Sequence, residues 1–310
     1  MLELIDLTKQ YGSNMAVDHI TLKVENGEIF GLLGPNGAGK STVVSMISTV
    51  KEPTGGEIKV KDKSLSRFPM EAKKVMGIVP QDIALYEALS AKDNLELFGS
   101  LYGLSRNENK KKVEEVLDII ELSDKRKQAV GEFSGGMKRR VNIGVALMNN
   151  PELLILDEPT VGIDPQSRNH ILETVKRLNK DRGMTVIYTS HYMEEVEFLC
   201  KRVAIVDNGK LIALGTKEEL KDKMNASDTL TVSFQNAPEG ILPEISTIYG
   251  VERAEIGGNK IRLLIHPGVR NIMDIIDSLR STGIQITGFK FEEVNLESIF
   301  LQITGKSLRE

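Results

Sequence analysis

The sequence predicts an α/β protein in two parts. The larger is a cassette with a mainly parallel core sheet, an antiparallel β subdomain and a helical insert, and the smaller is a C-terminal α+β domain. Three observations carry this. Short apolar runs such as Ile29 to Leu33, Leu153 to Leu156 and Thr185 to Thr189 alternate with helical patterns, as buried strands with crossover helices do. The first of these runs leads into a glycine-rich loop and a second apolar stretch. Beyond Asp228 the element order becomes βαββαβ, that of a split-βαβ sandwich.

The glycine-rich loop is Gly34-Pro35-Asn36-Gly37-Ala38-Gly39-Lys40-Ser41-Thr42, followed by Val43, Val44, Met46 and Ile47. It reads as strand, loop, helix. In that context the spacing G-x-x-x-x-G-K-[ST] turns backbone N–H groups inward around phosphate oxygens, and the helix N-terminus adds the positive end of its dipole. Lys40 is then expected to reach the β- and γ-phosphates of a nucleotide, and Ser41 to offer its hydroxyl to Mg²⁺.

Composition sets the outer limits. A chain of 310 residues is long enough for two domains. With 40 basic against 44 acidic residues the net charge is −4, so there is no global basic surface of the kind nucleic-acid binders carry. The single cysteine, Cys200, excludes an internal disulfide and fits a reducing compartment. The N-terminus alternates Leu2, Leu4 and Leu7 with charges and reads as a strand, not a signal peptide. No run of about 18 apolar residues occurs, so work in a membrane would use another chain's helices.

In chain order, Leu2 to Leu7, Ala16 to Val24 and Glu28 to Leu33 read as strands, with Asn26-Gly27 as a tight turn. Tyr11 is placed in the loop after the first strand, where its ring can stack on a base. Pro53-Thr54-Gly55-Gly56 reads as a turn and Glu57 to Val60 as a strand, and Val75 to Val79 as another that ends at Pro80-Gln81. Ser90 with Asp93 opens a helix. Val113, Val116, Leu117 and Ile120 mark an amphipathic one.

Phe133-Ser134-Gly135-Gly136-Met137 then opens a helix that stops at Asn149-Asn150-Pro151, a second anion-binding helix start. The strand Leu153 to Leu156 delivers Asp157 and Glu158. The first is placed to hold the Mg²⁺ shell and the second to take a proton from attacking water. Gly162-Ile163-Asp164, a helix bearing Ile171, Val175 and Leu178, and a strand ending at Ser190-His191 follow; a strand end of this kind is where open parallel sheets put active-site residues. In the C-terminal part, Thr229 to Phe234, Val251 to Ile256, Lys260 to Ile265 and Ile284 to Lys290 read as strands. Pro238 to Tyr249, Val269 to Ser281 and Glu292 to Leu301 read as helices, and Lys221 to Asp228 as the joint.

Taken together, Tyr11, Gly34 to Thr42, Gln81, Ser134 to Met137, Asp157, Glu158, Asp164 and His191 make residues 1–225 resemble the nucleotide-binding subunit of an ABC transporter, with a helical insert at about 85–150. The 226–310 tail looks like that of the drug- and antibiotic-resistance branch. The one departure is Phe133, where the family most often has leucine. The resemblance implies adenine stacking by Tyr11, phosphate cradling by Gly34 to Thr42, and Mg²⁺ or water contact by Gln81. It further implies that Ser134, Gly135, Gly136 and Met137 close on the ATP of a second subunit, that Glu158 is the general base, that Asp164 belongs to a subunit-contact loop, and that His191 senses the γ-phosphate. The expected protein is an ATPase using ATP and Mg²⁺, a homodimer or heterodimer attached to the cytoplasmic side of the cell membrane through permease subunits on separate chains, with no nucleic-acid partner. The alternative is a soluble ABC ATPase acting on ribosomes or DNA. Such proteins usually carry two cassettes or a long coiled coil, and this chain has neither.

Overall fold

The computed structural model describes residues 1–224, 227–238, 240–266, 269 and 271–304. The chain divides into two compact units, Met1–Gly215 and a second that opens at Thr216.

In the first unit, β1 (Leu2–Tyr11) and β2 (Asn14–Val24) form a hairpin, and β3 (Ile29–Leu33) leads through the glycine-rich loop into α1 (Lys40–Ile47). Next come β4 (Gly55–Val60), β5 (Lys63–Ser64), α2 (Pro69–Val75) and β6 (Met76–Val79). The helical insert holds α3 (Ala91–Leu101), α4 (Arg106–Ile119) and α5 (Gly135–Leu147). The chain returns through β7 (Leu153–Asp157), α6 (Pro165–Arg182), β8 (Thr185–Ser190), α7 (Met193–Leu199), β9 (Arg202–Asp207) and β10 (Lys210–Thr216).

Two sheets result, in the orders β2-β1-β4-β5 and β10-β9-β3-β8-β7-β6. The first is antiparallel, and in the second β9, β3, β8, β7 and β6 run parallel. Strands β3, β7 and β8 are buried at nearly every position, because helices cover both faces of such a sheet. One core joins the sheets: Leu4, Ile20 and Ile58 from the antiparallel sheet meet Val43 and Ile47 of α1 and Ile155 and Ile187 of the parallel one. In the insert, Val113, Val116, Leu117 and Ile120 are buried as their spacing predicts. A side chain at Gly144 would lie 3.0 Å from Val116 and 3.2 Å from Leu95, so a glycine lets the three helices close.

The second unit contains α8 (Lys217–Lys223), β11 (Asp228–Phe234), α9 (Leu242–Ile245), β12 (Val251–Gly257), β13 (Lys260–Ile265), α10 (Ile272–Ser281), β14 (Ile286–Glu292) and α11 (Leu296–Thr304). Its sheet order, β12-β13-β11-β14, is antiparallel throughout, the arrangement that βαββαβ produces when two split βαβ units interlock.

Several elements differ from expectation. Tyr11 ends β1 instead of following it, because it pairs with Asn14 across a two-residue hairpin turn. Strand β4 starts at Gly55, which pairs with Thr8 of β1, and Gly56, with φ 83°, sits at the register shift before Glu57 pairs with Ile5. Helix α2 precedes β6 and takes Val75 from it, started by Pro69. The division between units falls before α8: Thr216 caps that helix with Glu219, and Lys221 pairs with Asp228 at 2.7 Å, which ties the expected joint into the second unit. The expected helix from Pro238 to Tyr249 spans Glu239, outside the described residues; α9 starts only after Gly240, whose φ is 74°, and Pro243 fits its first turn. The Val269 to Ser281 helix likewise spans Arg270, outside the described residues, and α10 starts where Asn271 caps Met273 N. Strand β14 continues through Glu292 by pairing with Thr229, so the last helix starts at Leu296.

Candidate nucleotide site

Four strand ends build the site. The glycine-rich loop leaves β3, Pro80-Gln81 leaves β6, Asp157-Glu158 closes β7, and Ser190-His191 closes β8, all at the carboxyl edge of one parallel sheet, where open α/β sheets bind ligands. The loop's shape is set by backbone that only glycine accepts easily. Gly37 and Gly39 have φ of 79° and 107°, and a side chain on Gly39 would lie 2.6 Å from the Ala16 carbonyl. The cleft above it measures about 390 Å³ and is lined by Asn36, Gly37, Gly39, Lys40, Ser41 and Thr42 together with Gln81 and Glu158.

Lys40 is buried, and its ammonium group donates to Gly34 O at 2.7 Å and Pro35 O at 3.0 Å while standing 3.2 Å from Glu158 Oε1. Two of its three donors already have carbonyl acceptors. A phosphate entering the loop therefore exchanges partners with a preorganised cation. On the other side of Glu158, Oε2 lies 3.3 Å from His191 Nδ1, without hydrogen-bond geometry. Glu158 itself has φ 46°, which costs a residue with a Cβ about 1–3 kcal/mol. That turn is what aims its carboxylate back over the loop toward Lys40 and His191. Its amide donates to Thr189 Oγ1 at 2.9 Å, and the same hydroxyl donates to Asp157 Oδ1 at 2.7 Å. One buried threonine thus fixes both acids.

Ser41 Oγ donates to Asp157 Oδ1 at 3.4 Å, so two hard oxygens stand together at the end of the phosphate loop. Burial pushes the Asp157 carboxyl up, the Thr189 and Ser41 hydroxyls and the Lys40 charge oppose the rise, and the Glu158 charge adds to it. Among the described residues no group of three or more His, Cys, Asp or Glu is placed to hold a metal. The donor set fits Mg²⁺ carried in with phosphate oxygens, since that ion keeps waters and takes one or two protein oxygens in such sites.

The comparisons with known proteins agree with this geometry. The ABC transporter family matches residues 17–161. The chain is 46% identical over 314 residues to the linearmycin resistance ATP-binding protein LnrL of Bacillus subtilis (strain 168), covering 100% of both. The chain belongs to the ABC transporter ATP-binding family. It is likewise 34% identical to the daunorubicin resistance ATP-binding protein DrrA3 of Streptomyces coeruleorubidus, over 97% of this chain and 95% of that one. A solved dimer of the ATP-binding cassette MJ0796 in a post-hydrolysis state with ADP and Pi superposes with TM-score 0.63 and 28% identity, covering 70% of this chain and 98% of that one. This ABC protein is therefore an ATP-binding ATPase of the kind that powers transport.

Within this ABC cassette Ser134, Gly135, Gly136 and Met137, expected to act on a partner's ATP, do not line the cleft. Ser134 caps α5 by accepting from Met137 N at 3.3 Å, and a side chain on Gly136 would lie 2.2 Å from Ser167 Oγ of α6. Asp164 caps α6 by accepting from Ser167 N at 2.9 Å. These four residues and the Asp164 loop are thus one surface, apart from the phosphate loop. Tyr11 also lies outside the cleft lining; it is 41% exposed, with Lys9 and Lys51 ammonium groups 5.2 and 5.0 Å from its ring centre.

Sequence reasoning missed several contributors. Asn14, Met15 and Ala16 at the start of β2 and Asn208 and Gly209 in the turn between β9 and β10 wall the cleft, and of these only the Asn-Gly dipeptide carries a turn signal. Arg139 of α5 reaches back to the carbonyls of Pro80 and Gln81, which a basic residue in a charged run does not announce. Thr189 stands in an expected strand with nothing to set it apart, and no spacing or motif singles out Glu195.

Proposed function

We propose that this ABC ATPase works as a dimer with two composite sites, each joining one subunit's phosphate loop to its partner's Ser134–Met137 surface, and drives export of a drug, antibiotic or lipid-like compound through separate membrane subunits. The observation that carries this reading is the convergence of Lys40, Glu158 and His191 over a phosphate loop whose own signature helix faces elsewhere. A second copy supplies what the cleft lacks. Within the site, Gly34, Pro35, Asn36, Gly37, Ala38, Gly39 and Thr42 shape the phosphate cradle, and Lys40 binds the β- and γ-phosphates. Ser41, Asp157 and Gln81 hold Mg²⁺, which when bound neutralises developing charge on the phosphate oxygens. Glu158 orients and deprotonates the attacking water, His191 reads the γ-phosphate, and Tyr11 stacks on the adenine.

Among the described residues no helix is long and apolar enough to cross a membrane, so the proposed placement is peripheral, at the cytoplasmic face. The resistance names of the relatives support the export direction. Loss of a general base costs about 10²–10⁴-fold in rate. Glu158→Gln is therefore expected to bind MgATP, turn over at a small fraction of the normal rate and accumulate as an ATP-bound dimer. Near-normal turnover in that variant removes Glu158 from the mechanism.

A further inference from the structure

Behind the site lies a buried carboxylate that its phosphate contacts do not use. Glu195, in the first turn of α7, is 2% exposed. It accepts from Thr160 Oγ1 at 2.7 and 2.8 Å, from Tyr188 OH at 2.8 Å and from Ser190 Oγ at 2.9 Å. Arg168 Nε of α6 stands 3.3 Å from its Oε1. Thr160, Tyr188 and Ser190 are themselves buried. A buried carboxylate is costly unless each oxygen is paired, and here the pairing is complete.

What these donors have in common is their place in the chain. Thr160 is two residues past Glu158, in the turn where Val161 N bonds Glu158 O at 3.3 Å. Ser190 precedes His191 and also accepts from Tyr192 N at 2.9 Å, so it brackets the histidine from both sides. A positive φ at a residue other than glycine persists only when its surroundings over-determine it. Thr189 holds Glu158 through its amide, and the hydroxyl bonds to Glu195 hold the turn beyond it. We propose that Glu195 is a positioning residue for ATP hydrolysis: it fixes the Glu158 turn and the His191 turn to one anchor, so that general base and γ-phosphate sensor keep a common geometry.

This inference rests on the ATPase roles proposed for Glu158 and His191. Displacement of a reacting group by about 1 Å can cost about 10²-fold, and Glu195 touches no group that touches phosphate. Glu195→Ala is therefore expected to lower kcat by about that factor while the directly measured ATP dissociation constant stays unchanged. Glu195→Gln, which keeps the size and one acceptor oxygen, should recover part of the loss. Combined with Glu158→Gln, the Glu195→Ala change should slow turnover no further, because groups that act as a unit are not additive. Unchanged kcat in a folded Glu195→Ala protein, or ATP affinity falling together with kcat, overturns the proposal. If Glu195→Ala does not fold, Thr160→Val and Ser190→Ala each remove one donor and leave the other two, and each must lower kcat alone; normal kcat in either overturns it as well. Equal turnover of wild type and Glu158→Gln would instead mark failure of the underlying ATPase assignment.

Discussion

At the scale of single residues, the site is governed by which polar groups are buried and what shares them. Asp157 shows it: burial lifts its carboxyl above the ordinary aspartate value of 3.8, against the pull of Thr189, Ser41 and Lys40. The sign has two consequences. A carboxyl whose folded pKa is raised contributes its stability in full below the unfolded value and loses it as pH rises through the folded one. Mg²⁺, by contrast, needs the ionised group, so its assistance to nucleotide binding should fade as pH drops through the raised value. The expected result is that Mg²⁺ enhancement of ATP affinity disappears on acidification at a pH above the ordinary aspartate value, while Asp157→Asn shows little enhancement at any pH. The same acid profile in wild type and Asp157→Asn would show that another group sets it. Gly39 makes the steric counterpart. With φ 107° and the Ala16 carbonyl 2.6 Å from a would-be Cβ, Gly39→Ala should deform the loop and abolish ATP binding, measured by equilibrium binding of a labelled nucleotide.

At the scale of elements, α5 ties three functional segments together. Its cap is Ser134, its first turn packs on the start of α6 through Gly136 and Ser167, and its Arg139 holds the backbone at Gln81. The residues proposed to meet a partner's nucleotide and the backbone at Gln81 are thus held by one helix. If the site is composite, a mixture of Lys40→Ala and Ser134→Arg subunits contains heterodimers with one doubly damaged site and one intact site. Activity of the mixture should exceed that of either variant alone if one intact site suffices, and full-rate activity of a strict monomer, independent of concentration, would refute the arrangement. The strand-loop-helix around Lys40, the acids at the end of β7 and the periodic face of α4 were legible in the sequence because each is a local pattern: a spacing, an apolar run, a 3.6-residue period. Tyr11's strand position, the α8 side of the domain division and the Thr189 and Glu195 bonds were not, because pairing partners lie 3 to 35 residues away and nothing in the side chains themselves specifies the partner.

At the scale of the whole molecule, the proposed transport through separate membrane subunits requires a surface that passes the conformational change on, and the segment from Gln81 to Gly103 has the composition and position to do so. Gln81 lines the cleft, whereas a few residues on Tyr86 is 57% exposed, and at the far end of α3 Leu101 and Tyr102 are 70% and 43% exposed. The insert's own core is filled by Leu95, Val113, Val116 and Leu117, and large apolar groups left outside a core are candidates for a partner surface. The link between them is stiff. Asn94 of α3 accepts from Tyr86 N at 2.9 Å and donates to Tyr86 O at 3.0 Å, and Tyr86 stands against Phe98 with ring centres 6.4 Å apart. A shift of Gln81 toward Mg²⁺ would then carry the insert as a rigid body, one of the forms that such transitions take. Leu85 is half-buried beside this surface. Replacing Leu85 and Tyr86 with polar residues is expected to leave the basal ATPase activity of the isolated subunit intact, to weaken its association with the membrane subunits and to abolish transport. Loss of folding in the isolated double variant would assign these residues to internal packing, and unchanged transport would place the grip on the membrane subunit elsewhere.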